Sequence, residues 1–310
     1  MTWKRCLQIL PTLLGVVLLS VSVWVLHGEL QHYPPGAIWR SLSIIPARQI
    51  VWAILFTCLN GIVLTGYDSL AVQSIHRALP YRQTALVSLI AIPISNTIGF
   101  AILSDGAIRY RFYRTWGLST LEITQVIAFC HLSFWLGLFV MGGITFLAEP
   151  IAIPTLLHLP FKTVHPLSGL FLSTIAAYLI WNGISHRSLR IKTWTLPRLP
   201  LPLCLAQIAI AASDWTLSAA VFYVLLPPTA TLSYPTFFGA YLLAQFAGVV
   251  STVPGGLGIF ETVILLRLHP SVSSSLLLGT LVVYRVIYYL LPLVGAIGLL
   301  GLYELRQRSA

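Results

Sequence analysis

Long runs of apolar residues, separated by short polar stretches, follow one another along nearly the whole chain. A helix needs about 20 mostly apolar residues to cross the ~30 Å hydrocarbon core of a bilayer, and several of these runs approach that length. The pattern therefore predicts an all-α polytopic membrane protein with eight apolar segments, at residues 6–26, 49–72, 84–103, 121–147, 167–184, 201–226, 236–253 and 276–302.

Two of the eight segments contain helix-breaking and polar residues. Segment 84–103 includes Pro93 and runs into Asp105, and segment 236–253 runs into the glycine-rich sequence 254–258. Interrupted helix at membrane depth is tolerated only where it is buried in protein or lines a water-filled cavity. We therefore interpret both segments as re-entrant helical hairpins, which enter and leave the bilayer on the same side.

Only 8% of the residues are charged, compared with roughly 25% in soluble domains, so we expect a single membrane domain over residues 1–310.

The distribution of Lys and Arg favours the topology with two hairpins. If all eight segments crossed, the loops would hold 7 Lys/Arg inside and 10 outside, against the positive-inside rule. With two re-entrant hairpins the split becomes 13 inside and 4 outside. We therefore predict six full spans plus two hairpins, with both termini cytoplasmic.

The net charge of +10 does not indicate nucleic acid in this setting. Most of the Lys and Arg residues lie in short loops between apolar segments, where they set topology and contact anionic lipid headgroups. No nucleic-acid partner is expected.

Matching residues at similar spacing suggest two inverted repeats. Asp68 and Asp214 are 146 residues apart, each in the apolar segment before a hairpin, and Asn96 and Gln245 are 149 apart. Half-repeats of about 1–150 and 151–310 would each hold three crossings, so the second would be inverted in the membrane. Paired broken helices in inverted repeats are typical of secondary transporters, with the substrate site at the repeat interface. Chance spacing of common residues is the alternative.

Three residues with charged side chains lie deep within the apolar segments and are candidates for function, because charge at membrane depth is costly. They are Asp68, Asp214 and Arg285. One arginine and two acids invite pairing with one another. They could form an interhelical ion pair that only fixes packing, or a polar path for a charged headgroup.

The two hairpin tips carry further polar groups. Asp105 and Arg109 follow the first break, and Glu261 follows the glycines of the second. Backbone N–H groups at a glycine-rich helix start attract anions such as phosphate, although the same glycines would also allow close helix packing. The predicted substrate-binding residues are Asp68, Asn96, Asp105, Arg109, Asp214, Gly255, Gly256, Glu261 and Arg285.

Catalytic and metal-binding patterns do not stand out in the sequence. It shows no Ser-His-Asp or paired-carboxylate constellation and no metal-ligand spacing among its eight histidines. We predict a protein that is not an enzyme and that needs no metal or other cofactor. His131, inside an apolar segment, is interpreted as an interhelical hydrogen-bonding residue.

Three sequence stretches resemble the lysylphosphatidylglycerol synthase transmembrane family. The first is Asn96 to Gly99, followed by 106–113, GAIRYRFY, and 116–119, WGLS. The others are 253–261, VPGGLGIFE, and 284–293, YRVIYYLLPL. In the bifunctional members this region resembles a flippase that moves aminoacylated phosphatidylglycerol to the outer leaflet, while further regions make the lipid.

The resemblance implies the translocating part alone, in a bacterial inner membrane, with a membrane phospholipid as the partner. The family's membrane acid, arginine and second acid are matched by Asp68, Arg109 and Asp214, the last an Asp where a Glu is expected. A homo-oligomer and a separate lipid synthase are both open as partners. The alternatives to a flippase are a membrane subunit or enzyme for lipid headgroup transfer, and a non-transporting scaffold.

Overall fold

The structure, a computed structural model, is a bundle of helices with one short pair of strands. It describes residues 45–98, 101–149, 163–184, 189–191, 194–196, 199–227, 232–250, 256, 258–268 and 272–309. Over these residues the α-helices are α1 (Ala47–Ser74), α2 (Tyr81–Ile98), α3 (Ala101–Thr115), α4 (Thr120–Ala148), α5 (His165–Ile184), α6 (Leu201–Leu225), α7 (Tyr234–Val250), α8 (Ile259–Leu268), α9 (Ser274–Tyr284) and α10 (Leu291–Ser309).

Five of the described helices are long and apolar enough to cross a membrane. They are α1, α4, α5, α6 and the continuous helix Leu276–Arg306. Their bounds follow the predicted apolar segments closely, and the predicted segment 6–26 lies outside the described residues. The chain is therefore a polytopic helical membrane protein.

Neither interrupted segment forms a helix that meets both the length and the hydropathy of a membrane span. Segment 84–103 divides between α2 and α3, and α3 continues to Thr115 through a polar sequence that the hydropathy pattern did not assign to a helix. Segment 236–253 corresponds to α7, and α8 follows it as a ten-residue helix. Contacts of Asp68 with Ser88 of α2 and with Arg109 and Tyr113 of α3 show that α2 and α3 lie side by side.

The last apolar segment is one continuous helix with a π-helical turn at Arg285–Leu290, between α9 and α10. In this turn the backbone N–H of Leu291 donates to the carbonyl of Val286, five residues earlier. Such π-helical turns are rare and occur often at functional sites. Here the turn carries the buried Arg285.

Helices α1 and α6 cross in the middle of the bundle and run antiparallel. Gln49 of α1 donates to the carbonyl of Leu226 after α6, whereas Asn60 contacts Asp214, twelve residues earlier. Gly66 of α1 lies against Ile210, where an added Cβ would be 2.5 Å from the isoleucine side chain. Small residues allow two membrane helices to approach closely. Such packing matters in a membrane, because lipid tails are apolar too and burial of apolar surface contributes little to helix association.

Two local features complete the fold. Helix α4 begins with a capping box, in which the Ser119 hydroxyl accepts from the N–H of Glu122 and the Glu122 carboxylate accepts from the N–H of Ser119. In the loop before α6, β1 (Leu189–Ile191) pairs antiparallel with β2 (Trp194–Leu196). The all-α prediction did not include this strand pair.

Candidate functional site

Asp68 of α1 is fully buried and is the centre of an ionic cluster. Arg109 of α3 donates from Nε to Asp68 Oδ1 at 2.9 Å and from Nη2 to Oδ2 at 2.8 Å. The hydroxyl of Tyr113 donates to Oδ1 at 2.7 Å, and that of Ser88 to Oδ2 at 2.6 Å. Bidentate arginine–carboxylate pairs are among the strongest hydrogen-bonded contacts in proteins, so α1, α2 and α3 are held together at this point.

Arg109 also meets a second acid. Its Nη1 contacts the carboxylate of Asp105, one helical turn earlier on α3, and Asp105 is itself buried. His131 of α4 approaches the same acid, with Nε2 at 3.4 Å from Asp105 Oδ2. The cluster thus combines two carboxylates with one guanidinium and one imidazole. Its net charge depends on whether His131 is protonated.

Asp214 lies in the middle of α6 and is bound by neutral donors. Asn60 donates from Nδ2 to Asp214 Oδ1 at 2.8 Å, and the Tyr67 hydroxyl donates to Oδ2 at 2.9 Å. The Tyr288 hydroxyl reaches Asn60 Oδ1 at 3.4 Å. Across the described helices, no Lys, Arg or His forms an ion pair with Asp214. Tyr67 and Asp68 are neighbours in α1, so this helix carries Asp68 and also contacts Asp214.

Arg285 pairs with Glu261 of α8. Its Nε and Nη2 lie 2.9 and 2.7 Å from Glu261 Oε1, while Glu261 Oε2 accepts the backbone N–H of Gly258 at 2.8 Å. The guanidinium also lies over the ring of Tyr289, 4.6 Å from its centroid. The expected pairing of Arg285 with Asp68 or Asp214 is therefore wrong, because Arg285 forms its ion pair with Glu261 on α8.

The remaining predicted residues lie apart from these pairs. Asn96 is exposed in the last turn of α2. Gly256 has a φ of 63° and packs against Gly248, which a Cβ at position 256 would approach to 3.3 Å. The left-handed backbone favours glycine, and this contact leaves little room for a Cβ. Gly255 lies outside the described residues.

Several residues of the clusters were not predicted from the sequence. Ser88, Tyr113, Asn60 and Tyr67 bind the two aspartates, and each lies near an interrupted segment or inside an apolar one. A polar side chain within a lipid-length apolar run is the signal that could have found Asn60 and Ser88.

A further buried ion pair joins α3 to α10. Arg111 Nη2 contacts the Glu304 carboxylate, and both residues are buried. Arg109 and Arg111 lie beyond the predicted apolar segment 84–103, but α3 places both inside the bundle with acidic partners. An arginine on α3 thus ties the first interrupted segment to the last helix.

We expect Glu304→Gln to lower the free energy of unfolding by about 2 kcal/mol, because it leaves the Arg111 charge buried without its acid. Arg111→Met combined with Glu304→Leu should recover part of this loss. The measurement is the temperature of half-denaturation of the detergent-purified protein.

The matched control is the exposed pair Arg77–Glu122, with Nε 2.5 Å from Oε1. The Glu122 carboxylate raises the pKa of Arg77, but water screens the pair, so Arg77→Met should lower the denaturation temperature much less than Glu304→Gln does. Equal losses for Glu304→Gln and Arg77→Met would contradict a structural role for the buried pair.

Comparison with known proteins gives relatives over most of the chain. The uncharacterized protein slr0712 of Synechocystis sp. is 45% identical over 305 residues, covering 98% of this chain and 95% of the relative. The inner membrane protein YbhN of Escherichia coli is 28% identical and covers 84% of this chain and 81% of YbhN.

Larger proteins match at lower identity. The phosphatidylglycerol lysyltransferase of Staphylococcus haemolyticus is 24% identical over 95% of this chain, and the match covers 34% of that enzyme's length. No protein-family model matches the chain. The chain belongs to the family of slr0712, and this family is related to YbhN and to the phosphatidylglycerol lysyltransferases, as the resemblance in the sequence indicated.

Proposed function

We propose that the chain is a flippase-like lipid transporter, which moves a phospholipid with a charged, aminoacylated headgroup between the leaflets. The observation that carries this proposal is the buried Asp68–Arg109–Asp105 cluster inside a bundle of membrane-length helices. Charge at membrane depth is costly and usually serves substrate or ion passage. The relationship to phosphatidylglycerol lysyltransferases supports a phospholipid as the substrate.

The proposed topology has six spans, two re-entrant hairpins and two inverted repeats over about 1–150 and 151–310, with both termini cytoplasmic. The antiparallel crossing of α1 and α6, which carry Asp68 and Asp214, supports the inversion. The acid–base pairs Asp105–His131 and Glu261–Arg285 also occupy corresponding places, each between a hairpin and the helix after it. Without the buried Arg109 and Arg111, Lys and Arg still divide 11 inside to 4 outside.

The contacts of the carboxylates indicate which part of the headgroup each charged residue would bind. Arg109 and Arg285 already pair with acids, so a lipid phosphate would have to exchange with a carboxylate to reach either guanidinium. Asp214 instead accepts only neutral hydrogen bonds from the described residues, and an ammonium group would supply its missing counter-charge. We assign Asp214 to the cationic part of the headgroup and the two arginines to its phosphate.

Transport then follows from alternating access. The acyl tails stay in the bilayer while the headgroup passes through the polar interior, which avoids moving charge through hydrocarbon. One repeat would rock against the other about the α1–α6 crossing. Because Tyr67 and Asp68 are adjacent, a shift of α1 would move the contacts of both aspartates together.

The test is headgroup translocation by the purified protein in vesicles that contain a fluorescent lysylphosphatidylglycerol. Asp214→Asn keeps the size and accepting oxygen of the side chain but removes its charge, so transport should fall by about tenfold or more while folding is retained. The leaflet distribution is followed by chemical quenching of the outer fluorophore.

Thr216→Val is the matched control on α6, since it removes a hydroxyl that bonds back to the carbonyl of Ala212 in the same helix. Equal transport by wild type, Asp214→Asn and an Asp68→Ala/Arg109→Ala variant would overturn the proposal. Lipid extracts of cells with and without the chain test the alternative of headgroup transfer, which predicts the loss of a lipid species.

A further inference from the structure

Asp214 differs from the other buried acids in its partners. It is 8% exposed and accepts hydrogen bonds from the amide of Asn60 and the hydroxyl of Tyr67, both of them uncharged. The other buried carboxylates in the described part of the chain each contact an arginine, and they are Asp68, Asp105 and Glu304. A buried ionised carboxylate without a counter-charge is costly, so Asp214 needs a positive group that the described residues do not supply.

The atoms around this carboxylate favour a proton or an N–H group over a metal ion. Asn60 Nδ2 and the Tyr67 hydroxyl direct hydrogens at it from 2.8 and 2.9 Å, and the amide oxygen of Asn60 accepts from Tyr288 at 3.4 Å. A hard metal cation needs about six oxygen ligands, whereas the neighbours of Asp214 present donors. An ionised carboxylate has about four lone-pair sites, so room remains for a proton or an ammonium group.

The titratable side chains that face α6 from the helices around it are mostly tyrosines. They are Tyr67 of α1, Tyr178 of α5, Tyr234 of α7, Tyr284 of α9 and Tyr288 of the π-helical turn. On α4, Cys130 and His131 lie near Arg109 and Asp105. Tyrosine ordinarily titrates near pH 10 and histidine near pH 6.5, so His131 is the group to separate from Asp214, and Asp214→Asn leaves it in place.

We infer that Asp214 holds a proton while no lipid is bound and exchanges it for the ammonium group of the headgroup. On the loading side the O–H bond of Asp214 breaks, the proton passes to water on that side, and the ammonium group donates to the carboxylate. On the other side the headgroup leaves, and water of that side returns a proton. The inference rests on the proposed transport function and adds its coupling ion, which moves against the lipid.

The contacts of Asp214 connect its charge to both proposed halves. Asn60 and Tyr67 belong to α1 in the first half, and Tyr288 belongs to the π-helical turn in the second half. Exchange of a proton for an ammonium group changes the hydrogen bonds that Asp214 accepts. It thereby biases the two arrangements of α1 against α6 that alternating access requires.

The experiment measures where a fluorescent lysylphosphatidylglycerol accumulates in phosphatidylcholine vesicles that contain the protein and carry a pH gradient. The two sides are held at about pH 5.5 and about pH 6.5, where both amines of the lipid are charged, and potassium with valinomycin keeps the membrane potential at zero. The phosphate and two amines give the lipid a net charge of about +1, so one-for-one exchange with a proton moves no net charge. The lipid should become about tenfold enriched in the leaflet on the acidic side, because protons leave that side in exchange for headgroups that arrive there.

Protein-free vesicles and the Asp214→Asn variant measure the redistribution that the gradient causes by itself, and neither should show the added enrichment. Wild-type transport that leaves the leaflet distribution at the level of protein-free vesicles would overturn the inference and leave the transport function in place. Enrichment driven by a sodium gradient at equal pH would overturn it too, since the coupling ion would then not be a proton.

Lipid binding tests the exchange without transport. Short-chain lysylphosphatidylglycerol is titrated calorimetrically into the detergent-purified protein at about pH 6, in two buffers of different ionisation enthalpy, which gives the protons released per lipid bound. Wild type and Thr216→Val should release about one proton, and Asp214→Asn none. Equal release by wild type and Asp214→Asn, or no release by either, would overturn the inference. A wild type that releases the proton but moves no lipid would remove the transport function and leave the exchange at Asp214.

Tyr67→Phe provides the test if Asp214→Asn does not fold. It keeps the carboxylate but removes the hydroxyl that donates to Oδ2. Because that hydrogen bond favours the ionised form, its loss strengthens proton binding, and lipid should bind several-fold more weakly than to wild type at about pH 6. The difference should shrink toward about pH 8, where fewer protons compete. Equal weakening at every pH would mean that Tyr67 only shapes the site, and would contradict competition between proton and lipid.

Discussion

Arg109→Ala is expected to lower the free energy of unfolding by about 3–5 kcal/mol and to abolish lipid translocation. The guanidinium lies between two buried carboxylates, with Nε and Nη2 on Asp68 and Nη1 on Asp105. Its removal leaves two buried acids whose other polar contacts, among the described residues, are with Ser88, Tyr113 and His131. Denaturation of the detergent-purified protein and the vesicle assay measure the two effects.

Two further variants make this prediction specific. Arg114→Ala lies on the same helix but at an exposed position. There the arginine donates to the carbonyl of Leu118 at 3.4 Å, so its loss should cost less than about 1 kcal/mol. Arg109→Lys keeps the charge but cannot make the bidentate contact with Asp68, and should recover stability only in part. If Arg109→Ala behaved like Arg114→Ala, the buried cluster would have no energetic role.

The long helices could be predicted because hydropathy reports which residues face lipid. The predicted segment 121–147 corresponds to α4 at Thr120–Ala148, and 201–226 to α6 at Leu201–Leu225. Helix α3 could not be found in this way. It carries Asp105, Arg109 and Arg111, which make it polar on average although these side chains lie inside the bundle.

The sequence also could not predict which charged residues pair with one another. Asp68, Asp214 and Arg285 were correctly placed in membrane helices, but hydropathy gives no distance between helices. Arg285 meets Glu261, twenty-four residues before it, and Asp214 is bound by Asn60, which is 154 residues away. Such partners depend on how the helices cross, and small residues at the crossings decide this.

Gly137→Ala should therefore be the most damaging single-methyl substitution in the middle of the bundle, with a loss of about 3 kcal/mol. An added Cβ at position 137 of α4 would lie 2.6 Å from Ala211 Cβ and 2.8 Å from the backbone carbonyl of Ala211 on α6. Backbone atoms of a packed helix cannot rotate away, so α6 must move. Because Ala211 is one turn before Asp214, this shift would also separate Asp214 from Asn60 and Tyr67, and translocation should fall with stability.

A graded set of glycines tests this reasoning. Gly169→Ala on α5 meets nothing within 4 Å and should be neutral or stabilising by up to about 1 kcal/mol, because alanine favours helix more than glycine does. Gly66→Ala meets only the side chain of Ile210, which can rotate, so its loss should be intermediate. If the backbone contact between α4 and α6 is decisive, the denaturation temperature should be lowest for Gly137→Ala, higher for Gly66→Ala and highest for Gly169→Ala. Equal effects of the three substitutions would mean that this close approach does not hold α6 in place.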